Sequence, residues 1–410
     1  MFFTLDVRRA RKGDCLILHY GTKKEPGLGL IDGGPGNVYK PHLKPRLEEI
    51  RKARKLDSNA PLPVDFLMVS HIDDDHINGV LELTKELLEA KESKQPLALK
   101  ISGVWHNSFD DIIGNNPAEL TAAVTAQFGA ASLSGDPDPD DLKGIDPDAA
   151  KVLASVGQGF QLRDDIRGLK LRINPPFAGK LVLAKAKAKK IDMGKGLNFT
   201  VVGPMNPEVV KLQKDHDEFL KKAAAKGKKT EAALAAFTDT SVPNLSSVVV
   251  YAEAGKKSML LTGDARGDKI LKGLELVGLL KADGKSTMHV DVFKCPHHGS
   301  KRNNDPILFR RITADHYVFS GNGEHGNPAR ETLEMLLGER GDDADYTVHL
   351  TYPVDEIDVA RKAEAKKHGQ SWSVKKNSIA SFFADNKKFA KKVVIVDEKA
   401  PHLINLLDEM

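Results

Sequence analysis

The stretch MVSHIDDDHINGV, Met68 to Val80, places His71, Asp73, Asp74, Asp75 and His76 directly after an apolar run. Imidazole and carboxylate are ligands for borderline and hard divalent cations. Adjacent carboxylates repel one another, and a dication among them offsets that repulsion. Residues two apart on an extended segment point the same way, so His71, Asp73 and Asp75 are expected to share one side. His76 then turns toward the same point as a helix begins. An acidic first turn of that helix would account for one or two of the aspartates. It accounts neither for the flanking histidines at this spacing nor for Gly79 one turn later, so the pattern points to metal binding.

Other strand ends carry similar clusters. Asp32-Gly33-Gly34, Gly263-Asp264 and His297-His298-Gly299 each follow an apolar run, and Gly323 to Pro328 precedes a helix. Distant strand tips that converge on one sheet edge can assemble a metal site. Neighbouring side chains on an extended chain diverge, so His297 is expected as the ligand and His298 toward substrate or core. Lys294, Lys301 and Arg302 bracket this pair, and such cations suit a phosphate whose charge grows in a transition state. Lys301 and Arg302 also read as an ordinary solvated loop. His106 reads as a half-buried structural histidine. Ser300 lacks a nucleophile-elbow context and Cys295 precedes a proline, so nucleophilic catalysis has no competing arrangement.

The elements that must position these groups follow from periodicity and punctuation. MFFTLDV, DCLILHYG and GLGLIDGG read as strands, KPRLEEIRKARKL as a helix, PVDFLMVS as a buried strand and NGVLELTKELLEAKES as a helix. The metal motif thus sits on a strand-to-helix loop, where ligands bind in α/β sheets. AELTAAVTAQFGAA, after Asn116-Pro117, reads as a capped helix. SGDPDPDDLKGIDPD reads as a solvated loop whose spacing does not fit a calcium EF-hand. LNFTVVGP is a strand, and residues 207–237 read as a Lys/Ala-rich surface hairpin. The segments SSVVVYAEAG, KKSMLLTGD, VDVFKC, DHYVFSG and YTVHLTYP read as strands. A charged helical stretch follows, then the strand KKVVIVDE and a short helix in HLINLLDEM.

The chain has 410 residues with 40% hydrophobic and 29% charged, a net charge of +4 and two cysteines. That charge is too mild to argue nucleic-acid binding alone, though it permits an anionic substrate. Two distant thiols fit a reduced compartment better than a disulfide framework. With no apolar run of about 18 residues and no signal-peptide pattern, a cytoplasmic protein without membrane contact is expected.

The motif His71-x-Asp73-x-Asp75-His76 resembles the HxHxDH signature of the metallo-β-lactamase superfamily. Aspartate in the second histidine position resembles the branch containing the hydrolase domain of bacterial competence DNA-uptake proteins. LDVRRARKGDCLILHYG, LIDGGPG, NLSSVVVYAEAGKKSMLLTGDA, KCPHHGSKRN and SGNGEHGNPARETLEML resemble that branch in order. The resemblance implies an αββα sandwich, two mixed β-sheets with outer helices and a metal site at one rim. It places a hydrolase domain over 1–345, with insertions about 107–196 and 206–240, and leaves 346–410 as a C-terminal extension packed on the same domain. It makes Asp264 the carboxylate that bridges two ions and Asp32 a support for the ligand loops; standing alone, Asp264 reads as a turn aspartate after a strand, and a turn-stabilising Asp-Gly-Gly accounts for Asp32 equally well. Three departures stand out. RRARKG replaces a Gly-Gln-Gly loop, Asn327 precedes Pro328 where the family has histidine, and Asn244 and Ser246 occupy the region of its third histidine. His325, two residues before Asn327, is either a substitute ligand or a surface histidine.

The expected metal set is therefore His71, Asp73, Asp75, His76, Asp264, His297 and His325, holding two divalent ions, zinc or manganese. Asp75, Lys294 and His298 are the expected catalytic groups. The expected activity is hydrolysis by metal-activated water, on an anionic phosphodiester such as a nucleic acid or nucleotide. Lactone, ester or thioester hydrolysis is the alternative within enzymes. A metal-binding sensor or docking module, using the basic stretches 180–195 and 211–229, is the alternative outside them.

Overall fold

A computed structural model describes residues 1–57, 59–107, 147–210 and 246–407. The helix expected after Asn116-Pro117, the acidic loop up to residue 146, the hairpin beyond residue 210 and Asn244 lie outside the described residues.

Two sheets organise the chain. The first has the order β16-β1-β2-β3-β5-β7, built from Leu403–Leu407, Phe2–Val7, Leu16–Gly21, Pro26–Ile31, Phe66–Met68 and Val104–Trp105 respectively. The second has the order β15-β14-β13-β12-β11-β10-β9-β8, from Val393–Ile395, Thr347–Leu350, Ile312–Phe319, Met288–Lys294, Lys257–Leu261, Val249–Ala254, Leu197–Gly203 and Ile191–Gly194. Its β11 to β15 half is parallel and its β8 to β11 half antiparallel. A small parallel pair joins β4 (Leu62–Val64) to β6 (Leu99–Ile101).

Alternation along the strands sends every second side chain into a shared core. Phe3, Leu5, Leu18, Phe66 and Trp105 of the first sheet meet Phe199, Val250, Met259, Val292 and Val318 of the second. The Phe199 ring meets Trp105 edge-on at 5.6 Å and Phe66 at 5.2 Å. The opposite face of the first sheet is covered by α1 (Lys44–Ala53), α2 (Asp74–Glu92) and α3 (Pro147–Leu169), through Leu47, Ile50, Ile77, Val80, Leu83, Leu162 and Ile166. That of the second is covered by α4 (Gly267–Val277), α5 (Pro306–Arg311), α6 (Arg330–Arg340) and α7 (Val354–Lys367), through Ile270, Leu274, Phe309, Leu333 and Ile357. The architecture is mixed α/β, with two sheets back to back between helical layers. Each fully buried leucine in these layers contributes about 1.5–3 kcal/mol.

Three expectations are corrected. PVDFLMVS is two strands, not one, because the Asp65 carboxylate takes the Leu28 N–H, the Tyr20 hydroxyl and the Lys195 ammonium at 3.0, 2.9 and 2.8 Å. Val64 therefore pairs with β6 while Phe66 pairs with β3. HLINLLDEM supplies β16 rather than a helix, since the edge of β1 offers backbone partners to Leu403–Leu407. The metal motif is not extended through Asp75: α2 begins at Asp74, with Asp73 as its extended N-cap. Residues 346–410 contribute β14 and β15 to the second sheet and β16 to the first.

The C-terminal segment is also tied in by three imidazoles. His349 Nε2 lies 3.0 Å from His316 Nδ1, and His349 Nδ1 lies 2.8 Å from His402 Nε2. Burial, with His402 and His316 beside it, pushes His349 down to about 3. Its ordinary value is near 6.5.

Two predictions follow from these contacts. A Cβ at Gly79 would stand 1.9 Å from the Gly33 carbonyl oxygen, and the Gly33 N–H donates to His76 O at 2.8 Å. Gly79→Ala is therefore expected to destabilise the fold by about 1–3 kcal/mol in urea unfolding; an unchanged midpoint would show that α2 is not wedged against this loop. Second, the unfolded chain takes a proton at His349 below about pH 6.5 that the folded chain refuses until about 3. Both states are neutral there at pH 8, and stability declines on acidification through that window, by up to ~1.4 kcal/mol per pH unit. Urea unfolding between pH 7.5 and 5 should give a shallower decline for His349→Leu; parallel curves would contradict the burial argument.

Candidate metal centre

Asp264 stands at the middle of the cluster, on the loop between β11 and α4. Its Oδ1 lies 3.2 Å from His76 Nε2 and 3.4 Å from His298 Nε2. Its Oδ2 lies 3.6 Å from His71 Nε2 and 3.5 Å from His297 Nε2. The two oxygens thus face two pairs of imidazoles. Asp75 Oδ2 is 3.5 Å from His298 Nε2, on the Oδ1 side, and Asp73 Oδ2 is 3.8 Å from His71 Nε2, on the Oδ2 side. Ligand atoms about 2.1 Å from a tetrahedral ion lie roughly 3.4 Å from one another. These separations fit that spacing.

The hydrogen bonds behind the rings fix which nitrogen faces inward. Ser70 has one hydroxyl proton, and its Oγ donates to Asp32 Oδ2 at 2.7 Å. The same Oγ must then accept from His71 Nδ1 at 3.0 Å, so His71 carries its proton on Nδ1. His76 Nδ1 donates to Asp32 Oδ2 at 2.8 Å. His298 follows the same logic. The Ser320 hydroxyl donates to Asp14 Oδ1, so it accepts from His298 Nδ1 at 3.0 Å. Each ring is held by its outer nitrogen, as in the carboxylate–histidine arrangements that orient metal ligands. Each inner Nε2 is therefore the nitrogen that can offer a lone pair to a cation.

Those lone pairs need a positive partner. His76 Nε2 and His298 Nε2 lie 3.3 Å apart beside Asp264 Oδ1. His71 Nε2 and Asp264 Oδ1 are buried without a hydrogen bond. An unpaired buried polar atom costs about 1–3 kcal/mol, more when charged. Asp14, Asp32, Asp73, Asp75 and Asp264 bring five carboxylates, and Lys294 brings one ammonium. The charges around each ring carry the same message. Burial disfavours a charged ring, yet Asp264 and Asp14 outweigh it and lift His298 to about 10. His76 also rises, with Asp264 and Asp32 overcoming burial. Burial and the neighbouring His76 push His71 down to about 4. Asp264 is buried, and the four histidines hold it well below the usual carboxylate range. Protons or a cation must supply the missing charge, and the donor set fits a divalent cation. Among the described residues, two groups of side chains could hold one: Asp14, His76, Asp264 and His298, and His71, Asp75 and His76.

The structure brings together His71, Asp73, Asp75, His76, Asp264, His297 and His298. The expected divergence of His297 and His298 is corrected: both reach Asp264, from opposite oxygens. Their φ angles are +48° and +54°, so the turn Pro296–Gly299 is left-handed there and the alternation of extended chain does not apply. Lys294 does not face the rim. It is 1% exposed, its Nζ lies 2.8 Å from Asp14 Oδ2 and it donates to the Cys295 carbonyl. His325 is 44% exposed with Nδ1 3.9 Å from Glu364 Oε1, outside the groups whose ligand atoms converge. Lys301 is exposed and pairs with Glu331. His106 is fully buried, with neither ring nitrogen hydrogen-bonded.

Sequence reasoning missed Asp14, Ser70 and Ser320. Gly13 was the one available signal for Asp14. A Cβ on Gly13 would stand 1.8 Å from the Asp75 carbonyl oxygen, and the Asp14 N–H donates to that oxygen at 3.2 Å. The serines carry no signal, since a hydroxyl at a strand end is common.

No family model matches this chain. Over 122 residues, 30% of its length, it is 28% identical to microtubule-associated protein 1A of Mus musculus and of Homo sapiens. Over 115 residues it is 29% identical to the Rattus norvegicus protein. The chain covers 4% of the length of each of these relatives. Among the described residues, no helix is long and apolar enough to cross a membrane.

Proposed function

We propose that this protein is a metal-dependent hydrolase of the metallo-β-lactamase type, with phosphodiesters as its substrate class. The observation that carries the reading is the two-sided environment of Asp264, one oxygen toward His76 and His298 and the other toward His71 and His297. The four-layer arrangement and the ordered strand-tip motifs support the same reading. Two divalent ions, zinc or manganese, would bring a water activated near neutral pH and Lewis-acid charge stabilisation. His71, Asp73 and His297 would hold one ion and His76, Asp75 and His298 the other, with Asp264 between them.

The remaining roles belong to the chain's own groups. Asp75 is the carboxylate placed to take a proton from the attacking water, being beside His298 and not committed to a serine or lysine. Asp32 and Ser70 keep the His71 and His76 rings turned inward. Lys294 serves the site from behind, through Asp14, so the cations that meet a phosphate come from the rim. Lys12, 3.0 Å from Asp74 at the start of α2, and Arg302, four residues beyond His298, are the candidates for that role. Cationic rim residues favour a phosphodiester over a lactone or thioester, which would want an apolar pocket.

A non-catalytic docking module is the second reading. Its support is the partial similarity to a protein named for association with microtubules. Turnover separates the two. Purified protein is expected to carry close to two equivalents of zinc or manganese by mass spectrometry and to cleave bis-p-nitrophenyl phosphate. Asp75→Asn should lower that turnover by roughly 10²–10⁴-fold, the range for a lost proton acceptor. Equal turnover by wild type and an Asp75→Ala/His76→Ala variant would remove the enzyme reading and leave the docking one.

A further inference from the structure

We propose that Asp14 is a positioning residue for His298, doing on one side of the centre what Asp32 does for His76 on the other. The inference rests on the metal-centre reading above. Its basis is a repeated geometry. On one side, Asp32 Oδ2 takes both the Ser70 hydroxyl at 2.7 Å and His76 Nδ1 at 2.8 Å, with Ser70 Oγ 3.2 Å from that same Nδ1. On the other, Asp14 Oδ1 takes the Ser320 hydroxyl and lies 3.3 Å from His298 Nδ1, with Ser320 Oγ 3.0 Å from that nitrogen. The same carboxylate, serine and imidazole triangle therefore stands behind two rings whose Nε2 atoms meet at 3.3 Å. Ser70 follows β5 of the first sheet and Ser320 follows β13 of the second, so the triangles come from unrelated parts of the chain.

Although Asp14 falls in one of the two groups able to hold a cation, its oxygens are already taken by Ser320 and Lys294, so it serves as a support and not a ligand. Its carboxylate lies on the Nδ1 side of His298, whereas Nε2 points to Asp264. Its other oxygen is held by Lys294 at 2.8 Å, with both groups 1% exposed. The loop that carries it is fixed against the metal motif by the Gly13 and Asp75 contact. What Asp14 controls is the direction of the Ser320 proton. With the carboxylate present, Ser320 donates to Asp14 and must accept from His298 Nδ1, which leaves the Nε2 lone pair for a cation. Without it, Ser320 is free to donate to Nδ1, and a neutral ring then keeps its one proton on Nε2, where it blocks the cation. Lys294, expected from sequence to meet substrate, is the counter-charge that lets this carboxylate stay buried.

The test is a zinc titration of the full chain against a chromophoric chelator, with side-chain ¹⁵N spectra of the histidines. Asp14→Asn is the direct variant but strands the Lys294 ammonium. Asp14→Asn/Lys294→Met removes the buried charges together, and Ser320→Ala strands none. In the folded variants the zinc on the His76 and His298 side should bind about 10–100-fold more weakly, with the other zinc within about threefold of wild type. The ¹⁵N spectra report which Nε2 atoms hold zinc, and at sub-saturating zinc His298 should be the ring left unliganded in Asp14→Asn/Lys294→Met. Folded variants that bind both zinc ions as wild type does, with His298 Nε2 filled at the same zinc concentration, would overturn the role of Asp14 alone. A wild-type chain that binds no zinc or manganese would instead remove the metal-centre reading.

Discussion

A carboxylate cannot be buried among lone pairs without a positive charge to answer it. Asp264 is buried with four imidazole Nε2 atoms within 3.2 to 3.6 Å of its two oxygens. Desolvation of such a group costs several kcal/mol unless it is paired. Around it the outer nitrogens of three rings are already committed to serines and aspartates, so these rings have only their inner nitrogens to offer. Every other feature of the site can be read as keeping this arrangement in place. The glycines that let loop backbones touch α2, the Ser and Asp pairs, and the buried Lys294 all act on groups that face Asp264.

The scaffold meets this constraint by division of labour. The first sheet delivers Asp14, Asp32, Ser70 and the His71 to His76 loop. The second delivers Asp264, Lys294, His297, His298 and Ser320. Because the hydrophobic layer between the sheets locks their relative placement, loops from both sheets bring their imidazoles within 3.2 to 3.6 Å of one carboxylate. A close-packed interior resists small shifts, so the core holds the like-charged groups of the site at fixed separations. That is how a stable fold can hold an arrangement that is unfavourable on its own.

Much of this was legible in the sequence, for identifiable reasons. The His71 to His76 cluster stood out because ligand-type side chains crowded after an apolar run repel one another unless a cation lies among them. Asp264 stood out because it ends another such run beside a glycine. Asp32 read as a support only through the family resemblance, since the two glycines after it fit a plain turn equally well. The pairing of Asp14 with Lys294 was not legible: 280 positions separate them in the chain, and each alone looks like a loop residue or a surface cation. His297 and His298 were misread because two left-handed residues in a row break the alternation that an extended segment implies. The C-terminal strand was misread because its conformation comes from the edge of β1, which local propensity does not report. Position in a sheet was readable from pattern, whereas contacts between distant loops were not.

The most direct test of the central claim is X-ray diffraction from crystals of the intact protein, with data collected across the zinc and manganese absorption edges. The account predicts anomalous density on each side of the Asp264 carboxylate, one peak beside His76 and His298 and the other beside His71 and His297. Crystals soaked in either metal that show no anomalous density at Asp264, with ordered water or direct imidazolium–carboxylate hydrogen bonds in its place, would contradict it.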